Sequence, residues 1–225
     1  METHLQFEGV TKQMPTLCLS QAGQDVFPRH LVGRPGTYLD IGSFRPTYHN
    51  NTYALEMEGW TGLSIDYQNF AEEFAQKRKN PFLCTDVTNV KWHTVVGENP
   101  FMQKTIDYIS FDVDEATMSA VAHFPWDKIR FATMTIEHDQ YRFGTATRDY
   151  IRTVLTDHGY SLVCADVVMP DSATEKYGAF EDWWADLKCV DKTAAEQIRC
   201  DGLTYLEILK KINPAPYAFY CPPPM

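Results

Sequence analysis

The chain has 225 residues and a formal net charge of −10, with 44% hydrophobic and 22% charged residues. This composition is that of an ordinary folded protein and excludes disordered, collagen-like and coiled-coil chains. Because affinity for nucleic acid depends mainly on lysine and arginine, the 30 acidic and 20 basic residues argue against a large nucleic-acid-binding surface.

The length predicts a single domain over residues 1–215, followed by a proline-rich tail at 216–225. No stretch has the ~20 uncharged apolar residues needed to cross a bilayer, and the first residues lack the order of a secretory signal. We therefore expect a cytoplasmic protein that binds neither a membrane nor nucleic acid. The six cysteines include no CxxC pair, so they are expected to be reduced thiols rather than zinc ligands.

Strand and helix patterns alternate along the chain. Short apolar runs predict strands at 37–41, 62–65, 82–85, 106–113, 131–136 and 160–165, and helical patterns fall at 50–58, 70–79, 116–124, 147–158 and 203–212. Segment 89–104 is ambiguous, since Val95-Val96 could form an edge strand but Gly97 and Pro100 interrupt it. Helices between successive strands imply right-handed crossovers. The predicted fold class is therefore α/β, a doubly wound, mainly parallel sheet with helices on both faces.

Acidic residues follow the predicted strands, where ligands of doubly wound sheets bind. These residues are Asp40, Asp66, Asp86, Asp112, Asp114 and Glu137. Any one of them could simply cap the next helix, but the recurrence at five successive strands favours a ligand site. The first loop lacks GxGxxG, which disfavours a dinucleotide.

These acids suit a ligand that combines an ammonium group, a ribose and an adenine. Asp40 would bind the ammonium group, Asp66 the ribose hydroxyls, and Asp86-Val87 the adenine, while Gly42 allows close approach of the backbone. S-adenosylmethionine has all three groups and a sulfonium. The other candidate cofactor contacts are Ser20, Gln21, Gln24, Ser43, Tyr67 and Asp112.

Several short segments between residues 18 and 185 form a composite pattern. They are Ser20-Gln21-x-Gly23-Gln24-Asp25, Tyr38-Leu39-Asp40-Ile41-Gly42, Asn51-Thr52-Tyr53, Glu58-Gly59-Trp60-x-Gly62-Leu63, Ile106-Asp107-Tyr108-Ile109-Ser110-Phe111-Asp112-Val113, Ile136-Glu137-His138, Gly159-Tyr160 and Glu181-Asp182-Trp183. Together they resemble FkbM-type S-adenosylmethionine-dependent methyltransferases. The resemblance implies the Rossmann-like sheet of class I methyltransferases and an acceptor hydroxyl on a sugar or natural product. The chain departs from the family pattern at residues 43–46 and at Asp114-Glu115.

Methyl transfer to a hydroxyl requires help with deprotonation, and the sequence offers two devices. In the first, His138 acts as general base beside Glu137 and Asp112, because an imidazole is neutral and basic near pH 7. In the second, Asp112, Asp114, Glu137 and His138 hold a divalent cation (Mg²⁺, Mn²⁺ or Ca²⁺) that lowers the hydroxyl pKa. Two residues apart on a strand, Asp112 and Asp114 are expected on one face. His49, in the first loop, is a weaker candidate for ligand contact.

The leading interpretation is an S-adenosylmethionine-dependent O-methyltransferase acting on a small polar, sugar or natural-product acceptor. One alternative is a metal-dependent glycosyltransferase, in which Asp112-Val113-Asp114 holds a cation on a sugar-nucleotide diphosphate. The other is a binding module that has kept the fold and lost the chemistry. The paired tryptophans Trp183-Trp184, in the aromatic and acidic segment 177–187, could wall an acceptor site or belong to the core.

Overall fold

The computed structural model describes residues 16–170, 177–215 and 217–219. The strands are β1 (Thr16–Cys18), β2 (Thr37–Ile41), β3 (Thr61–Asp66), β4 (Phe82–Cys84), β5 (Ile106–Phe111), β6 (Phe131–Glu137), β7 (Ser161–Pro170), β8 (Tyr177–Ala185), β9 (Cys200–Asp201) and β10 (Tyr217–Phe219). The helices are α1 (Val26–Val32), α2 (Tyr53–Met57), α3 (Ala71–Lys77), α4 (Trp92–Glu98), α5 (Thr117–His123), α6 (Gln140–Phe143), α7 (Ala146–Asp157), α8 (Lys192–Ile198) and α9 (Tyr205–Ile212). Single 3₁₀ turns occur at Val87–Asn89, Pro100–Gln103 and Asp114–Ala116.

Eight of these strands form one sheet in the order β4-β3-β2-β5-β6-β8-β7-β9. Strands β4 to β6 in this order are parallel to one another, and β8 is antiparallel to both β6 and β7. The predicted doubly wound, mainly parallel sheet is confirmed. The strand order reverses between β2 and β5, which makes their carboxyl ends the topological switch point where such folds bind ligands.

Two apolar layers cover the two faces of the sheet. On one face, α4, α5 and α7 pack against the sheet through Val95, Val121 and Leu155. On the other, α1, α8 and α9 contribute Phe27, Leu31, Ala195, Ile198 and Ile208. The adjacent residues Trp183 and Trp184 of β8 point to opposite layers and are buried, so both belong to the core rather than to an acceptor wall.

Three regions differ from the sequence expectations. Residues 92–98 form α4 and not an edge strand, because as a helix the segment packs Val95 into the apolar layer on one face of the sheet. Tyr217–Phe219, expected in the tail, pairs in parallel with β1. Residues 216 and 220–225 lie outside the described residues. None of the described helices is long and apolar enough to cross a membrane.

A buried arginine, Arg78, lies between α3 and the edge strand β4 and holds the loop that follows β2. All five N–H groups of the Arg78 guanidinium are donated, to Glu56 Oε2 (2.7 Å), Tyr38 Oη (2.9 Å), Pro46 O (2.9 Å), Asn50 Oδ1 (3.0 Å) and Thr52 Oγ1 (3.1 Å). Its side chain is 1% exposed. Three of these acceptors belong to the segment 46–52 that follows β2, so Arg78 fixes the path of that segment.

Replacing Arg78 should therefore be far more damaging than removing an exposed cation. We expect Arg78→Met to lower the free energy of unfolding by about 3–5 kcal/mol, because Glu56 is left buried without its partner. The matched control is Lys128→Met, whose exposed pair with Asp127 is worth at most about 1 kcal/mol. Urea denaturation measures both variants, and an equal loss in the two would contradict this role of Arg78.

Candidate functional site

A cleft of about 710 Å³ opens at the switch point between β2 and β5. Its walls come from the segments that follow β2, β3, β4, β5 and β6, as expected for a doubly wound sheet. The carboxyl side chains that line it are Asp40, Asp66, Asp86, Asp112, Asp114, Glu115, Glu137 and Asp139. Arg142 is the one arginine or lysine among the described lining residues. The cleft is therefore strongly acidic.

The floor of the cleft is a tight turn after β2. The N–H groups of Gly42 and Ser43 both donate to Ile65 O on β3, at 2.9 and 3.2 Å. Gly42 has φ +79°, and a Cβ at this position would lie 1.5 Å from Asp112 O. No other residue fits between β2 and β5 here, so glycine brings the turn against the neighbouring strand. The Ser43 hydroxyl is buried without a partner among the described residues, which leaves it available to a ligand.

Asp66 and Asp86 are held by backbone N–H groups at the ends of β3 and β4. Asp66 Oδ2 accepts from Phe44 N (2.7 Å) and Oδ1 accepts from Gln68 N (2.8 Å), which orients the carboxylate at the cleft wall. Asp86 Oδ1 accepts from Thr88 N and Thr88 Oγ1 and so caps the following 3₁₀ turn. These hydrogen bonds lower the pKa of Asp86. Both carboxylates keep lone pairs directed away from these donors.

Asp40 lies deeper in the cleft and is 1% exposed. Its Oδ2 accepts from Thr52 Oγ1 at 2.7 Å, and Thr52 in turn accepts from Arg78. Burial raises the pKa of Asp40 to about 6, with the Thr52 hydrogen bond and Arg78 opposing the shift. A positively charged ligand group beside Asp40 would favour its ionised form.

Asp112 and Glu137 form a half-buried carboxyl pair at the ends of β5 and β6. Burial and the neighbouring Asp112 raise the pKa of Glu137 to about 12, and burial also raises the pKa of Asp112. Two such groups at short range cannot both ionise, so the pair keeps a proton at neutral pH. Glu181 on β8 extends the group, and burial raises its pKa to about 8 while Trp183 Nε1 donates to its Oε1 at 2.7 Å.

The four predicted metal ligands do not come together as one set. Strand β5 ends at Phe111, and Asp114 lies in a 3₁₀ turn with φ +48°, so Asp112 and Asp114 do not share a strand face. Arg142 Nη1 donates to Asp114 Oδ1 (2.9 Å) and Asp139 Oδ2 (2.6 Å), which offsets one of the two negative charges. Asp114, Glu137 and Asp139 bring one carboxylate oxygen each within 4.8 Å of one another, whereas His138 groups with Asp166 and Asp182 instead.

His138 does not line the cleft, and this corrects its expected position. Since Glu137 turns into the cleft, the next side chain points away from it, towards β8. The imidazole is fully buried, with Nε2 3.5 Å from Asp182 Oδ1 and Nδ1 accepting from Gln140 N at 3.2 Å. Asp182 also pairs with Arg152 at 2.8 Å. In this position His138 stabilises the junction of β6, α7 and β8.

His49 is the histidine that the structure brings to the cleft. It is the one lining histidine among the described residues, and its ring stacks on Tyr48 with a centroid distance of 4.3 Å. No described residue forms a hydrogen bond with either of its ring nitrogens. Burial lowers the pKa of His49, so its imidazole is neutral at pH 7 and able to accept a proton.

The predicted cofactor contacts fall into two groups. Gln21, Asp40, Gly42, Ser43, Asp66, Tyr67, Asp86, Val87 and Asp112 line the cleft. Ser20 and Gln24 do not, because both are buried in the turn before α1. There the Ser20 hydroxyl donates to Asp25 Oδ1 (2.6 Å), and Gln24 Oε1 accepts from Ala22 N (2.8 Å).

Several cleft residues were not singled out from the sequence. The rim carries exposed aromatic rings, Phe44 and Tyr141, beside the predicted Tyr67.

Phe44, His49, Asp114 and Asp139 all have positive φ angles of 44–48° without being glycine. Such conformations cost about 1–2 kcal/mol each for L-residues. The sequence does not predict these left-handed conformations, because side chains of these types are ordinary in polar or aromatic loops.

In comparisons with known proteins, the chain is similar only to solved structures. No protein-family model and no curated protein matches the chain. It is similar to 1,6-didemethyltoxoflavin-N1-methyltransferase of Burkholderia thailandensis with bound S-adenosylhomocysteine, at 12% identity over 72% of this chain and 76% of that one (TM-score 0.49). The 23S rRNA methyltransferase ErmE is 13% identical over 80% and 74% (TM-score 0.49). A putative RNA methyltransferase of Pyrococcus horikoshii is 10% identical over 73% and 81% (TM-score 0.48).

Similarity at this level does not indicate a reaction or an acceptor. The fold follows from the strand order itself, which has a parallel half on either side of the switch point and one antiparallel strand, β8, inserted between β6 and β7. This is the Rossmann-like arrangement of class I methyltransferases that the sequence predicted.

Substitution of Gly42 tests the close approach of this turn to β5. We expect Gly42→Ala to lower the free energy of unfolding by roughly 2–5 kcal/mol, from left-handed strain and overpacking against Asp112 O. Gly33→Ala is the matched control, because Gly33 has a similar φ of +68° but open space around it. Only the strain of about 1–2 kcal/mol should remain there. Urea denaturation that gives equal losses would show that the close approach at Gly42 is unimportant.

Proposed function

We propose that the protein is an S-adenosylmethionine-dependent methyltransferase that transfers a methyl group to a hydroxyl of a small polar, sugar or natural-product acceptor. The observation that carries the proposal is the acidic cleft at the switch point, where Asp40, Asp66 and Asp86 lie at the carboxyl ends of three adjacent strands around Gly42. The resemblance of the sequence to FkbM-type methyltransferases supports the choice of a hydroxyl as acceptor.

The residues of the cleft fit this cofactor group by group. Asp66 is oriented by two backbone N–H groups and keeps a lone pair on each oxygen for the two ribose hydroxyls. Asp86 is exposed and can accept from the adenine amino group, with buried Val87 against the ring. Asp40 faces the ammonium group, and the unpartnered Ser43 hydroxyl lies at the adjoining turn.

The charge of the cleft disfavours a ligand with phosphate groups. Arg142 is the one lysine or arginine among the described lining residues, and it already pairs with Asp114 and Asp139. A sugar-nucleotide diphosphate would therefore meet eight carboxyl groups with no free cation. Asp112 and Asp114 also do not share a strand face, so the Asp112-Val113-Asp114 segment does not present its two carboxylates together to a metal–diphosphate.

When bound, S-adenosylmethionine supplies an electrophilic methyl group on its sulfonium. His49 accepts the proton of the acceptor hydroxyl at an imidazole nitrogen, which makes the oxygen nucleophilic. The singly protonated Asp112–Glu137 pair carries one negative charge and can hold a hydrogen bond to the acceptor. The rim rings Phe44, Tyr67 and Tyr141 restrict access of water to the cleft. Alignment of the two reactants supplies the larger part of the rate enhancement.

Ligand-induced stabilisation tests the cofactor. A saturating concentration of S-adenosylhomocysteine, 100 times its Kd, should stabilise the protein by about 2.7 kcal/mol, a rise in Tm of roughly 5–10 °C. UDP with Mn²⁺ should have no effect. Asp66→Ala should weaken binding of S-adenosylhomocysteine in calorimetry, and Asp127→Ala, an exposed acid outside the cleft, should not. Stabilisation by UDP–Mn²⁺ alone would favour the glycosyltransferase, and no response to any of these ligands would refute the proposed cofactor.

The assignment of His49 as general base has its own test. Asparagine accepts the positive φ of this position, so His49→Asn should keep the backbone and the affinity for S-adenosylhomocysteine while kcat falls about 10²–10⁴-fold. In the unsubstituted protein kcat should fall as the pH drops below the pKa of His49, and that limb should vanish in the variant. The control is His158→Asn at the exposed end of α7. Full activity of His49→Asn, with loss in His138→Gln, would restore His138 as the base.

A further inference from the structure

Two cysteines lie side by side on neighbouring strands far from the cleft. Cys164 of β7 and Cys200 of β9 are register partners in a parallel pair. Neighbouring strands are about 4.8 Å apart, and paired residues project their side chains to the same face. A disulfide requires Cα atoms about 4.4–6.8 Å apart, so this pair has the spacing for one.

The two thiols differ in environment. Cys164 is fully buried and Cys200 is half-buried at the edge of the sheet. The Cys164 thiol donates to Ile198 O at 3.7 Å. The interaction between the two neighbouring thiols lowers the pKa of Cys200 and raises that of Cys164. Lys211 lies close by, with its Nζ donating to Arg199 O at 2.9 Å, and its charge also lowers the pKa of Cys200. These features are typical of a reactive thiolate beside a second, resolving thiol.

We propose that Cys164 and Cys200 are an oxidation site that closes to a disulfide on reaction with a peroxide. The Cys200 thiolate attacks one peroxide oxygen, the O–O bond breaks, and Cys200 becomes a sulfenic acid as one water leaves. The Cys164 sulfur then attacks the Cys200 sulfur, the S–O bond breaks, and the hydroxyl leaves as a second water with the Cys164 proton. Two thiols are oxidised by two electrons, and one peroxide is reduced to two waters.

The other described cysteines lack this arrangement. Cys18 is buried, and burial raises its pKa to about 12. Burial and Asp186 raise the pKa of Cys189. Cys84 is exposed but has no cysteine as a register partner, since it pairs with Asp66. Exposure alone would make Cys84 and Cys189 react before Cys200, so comparing Cys84 with Cys200 separates the two explanations.

Peptide mapping of the full-length protein tests the proposal. Reduced, desalted protein is treated with a stoichiometric amount of hydrogen peroxide, blocked with iodoacetamide and digested without reductant. Before blocking, we expect the intact mass to fall by two hydrogen atoms. The digest should then contain one cross-linked peptide pair with Cys164 and Cys200, which dithiothreitol should separate. Cys84→Ser should give the same cross-link, and Cys200→Ser should give none.

A second measurement uses the unsubstituted protein and does not depend on the folding of any variant. In the native reduced state, Cys200 should be alkylated faster than the more exposed Cys84. The proposal is overturned if peroxide leaves both thiols free to alkylate, if Cys200 is converted to a sulfinic acid without a cross-link, or if its partner is another cysteine. It is independent of the proposed methyltransferase activity, since neither thiol lines the cleft.

Discussion

The buried guanidinium of Arg78 is the interaction on which the site depends most. It reaches from the end of α3 into the segment after β2, where Pro46, Asn50 and Thr52 all accept from it. An ion buried in this way stabilises a structure only when every donor is satisfied, and here all five are. Thr52 in turn donates to Asp40. The loop between β2 and α2 also contains Gly42, Ser43 and His49. The geometry of the cleft floor is therefore set by a residue outside the cleft.

The concentration of carboxyl groups has an energetic cost that a ligand could offset. Asp40 is buried, and Asp112 and Glu137 are half-buried. Removal from water shifts the pKa of each upward because a charged carboxylate is poorly solvated there. Part of this cost is avoided by sharing a proton between Asp112 and Glu137. A cationic ligand would remove more of it at Asp40, so the cleft favours positive charge. This electrostatic preference is more informative about the ligand than the shape of the cleft.

Much of the fold, and part of the site, could be predicted from the sequence. Strand periodicity located β2, β3, β5 and β6, and a general rule of doubly wound sheets then placed Asp40, Asp66 and Asp112 at one cleft. The failures arise where tertiary packing decides. His138 follows a strand end by one residue, and whether it faces the cleft depends on Glu137 having turned there first. Arg78 stands in a run of basic residues that is typical of solvent exposure, and its burial follows from partners 22 to 40 residues away.

The left-handed backbone at Phe44, His49, Asp114 and Asp139 limits how this protein can change over time. Glycine or asparagine at any of the four would relieve strain and make the fold more robust. Such replacements would also remove the side chains that shape the rim and supply its imidazole. Selection for stability and selection for activity thus oppose each other at these positions. Laboratory variants chosen only for thermal stability should accumulate substitutions there and lose turnover.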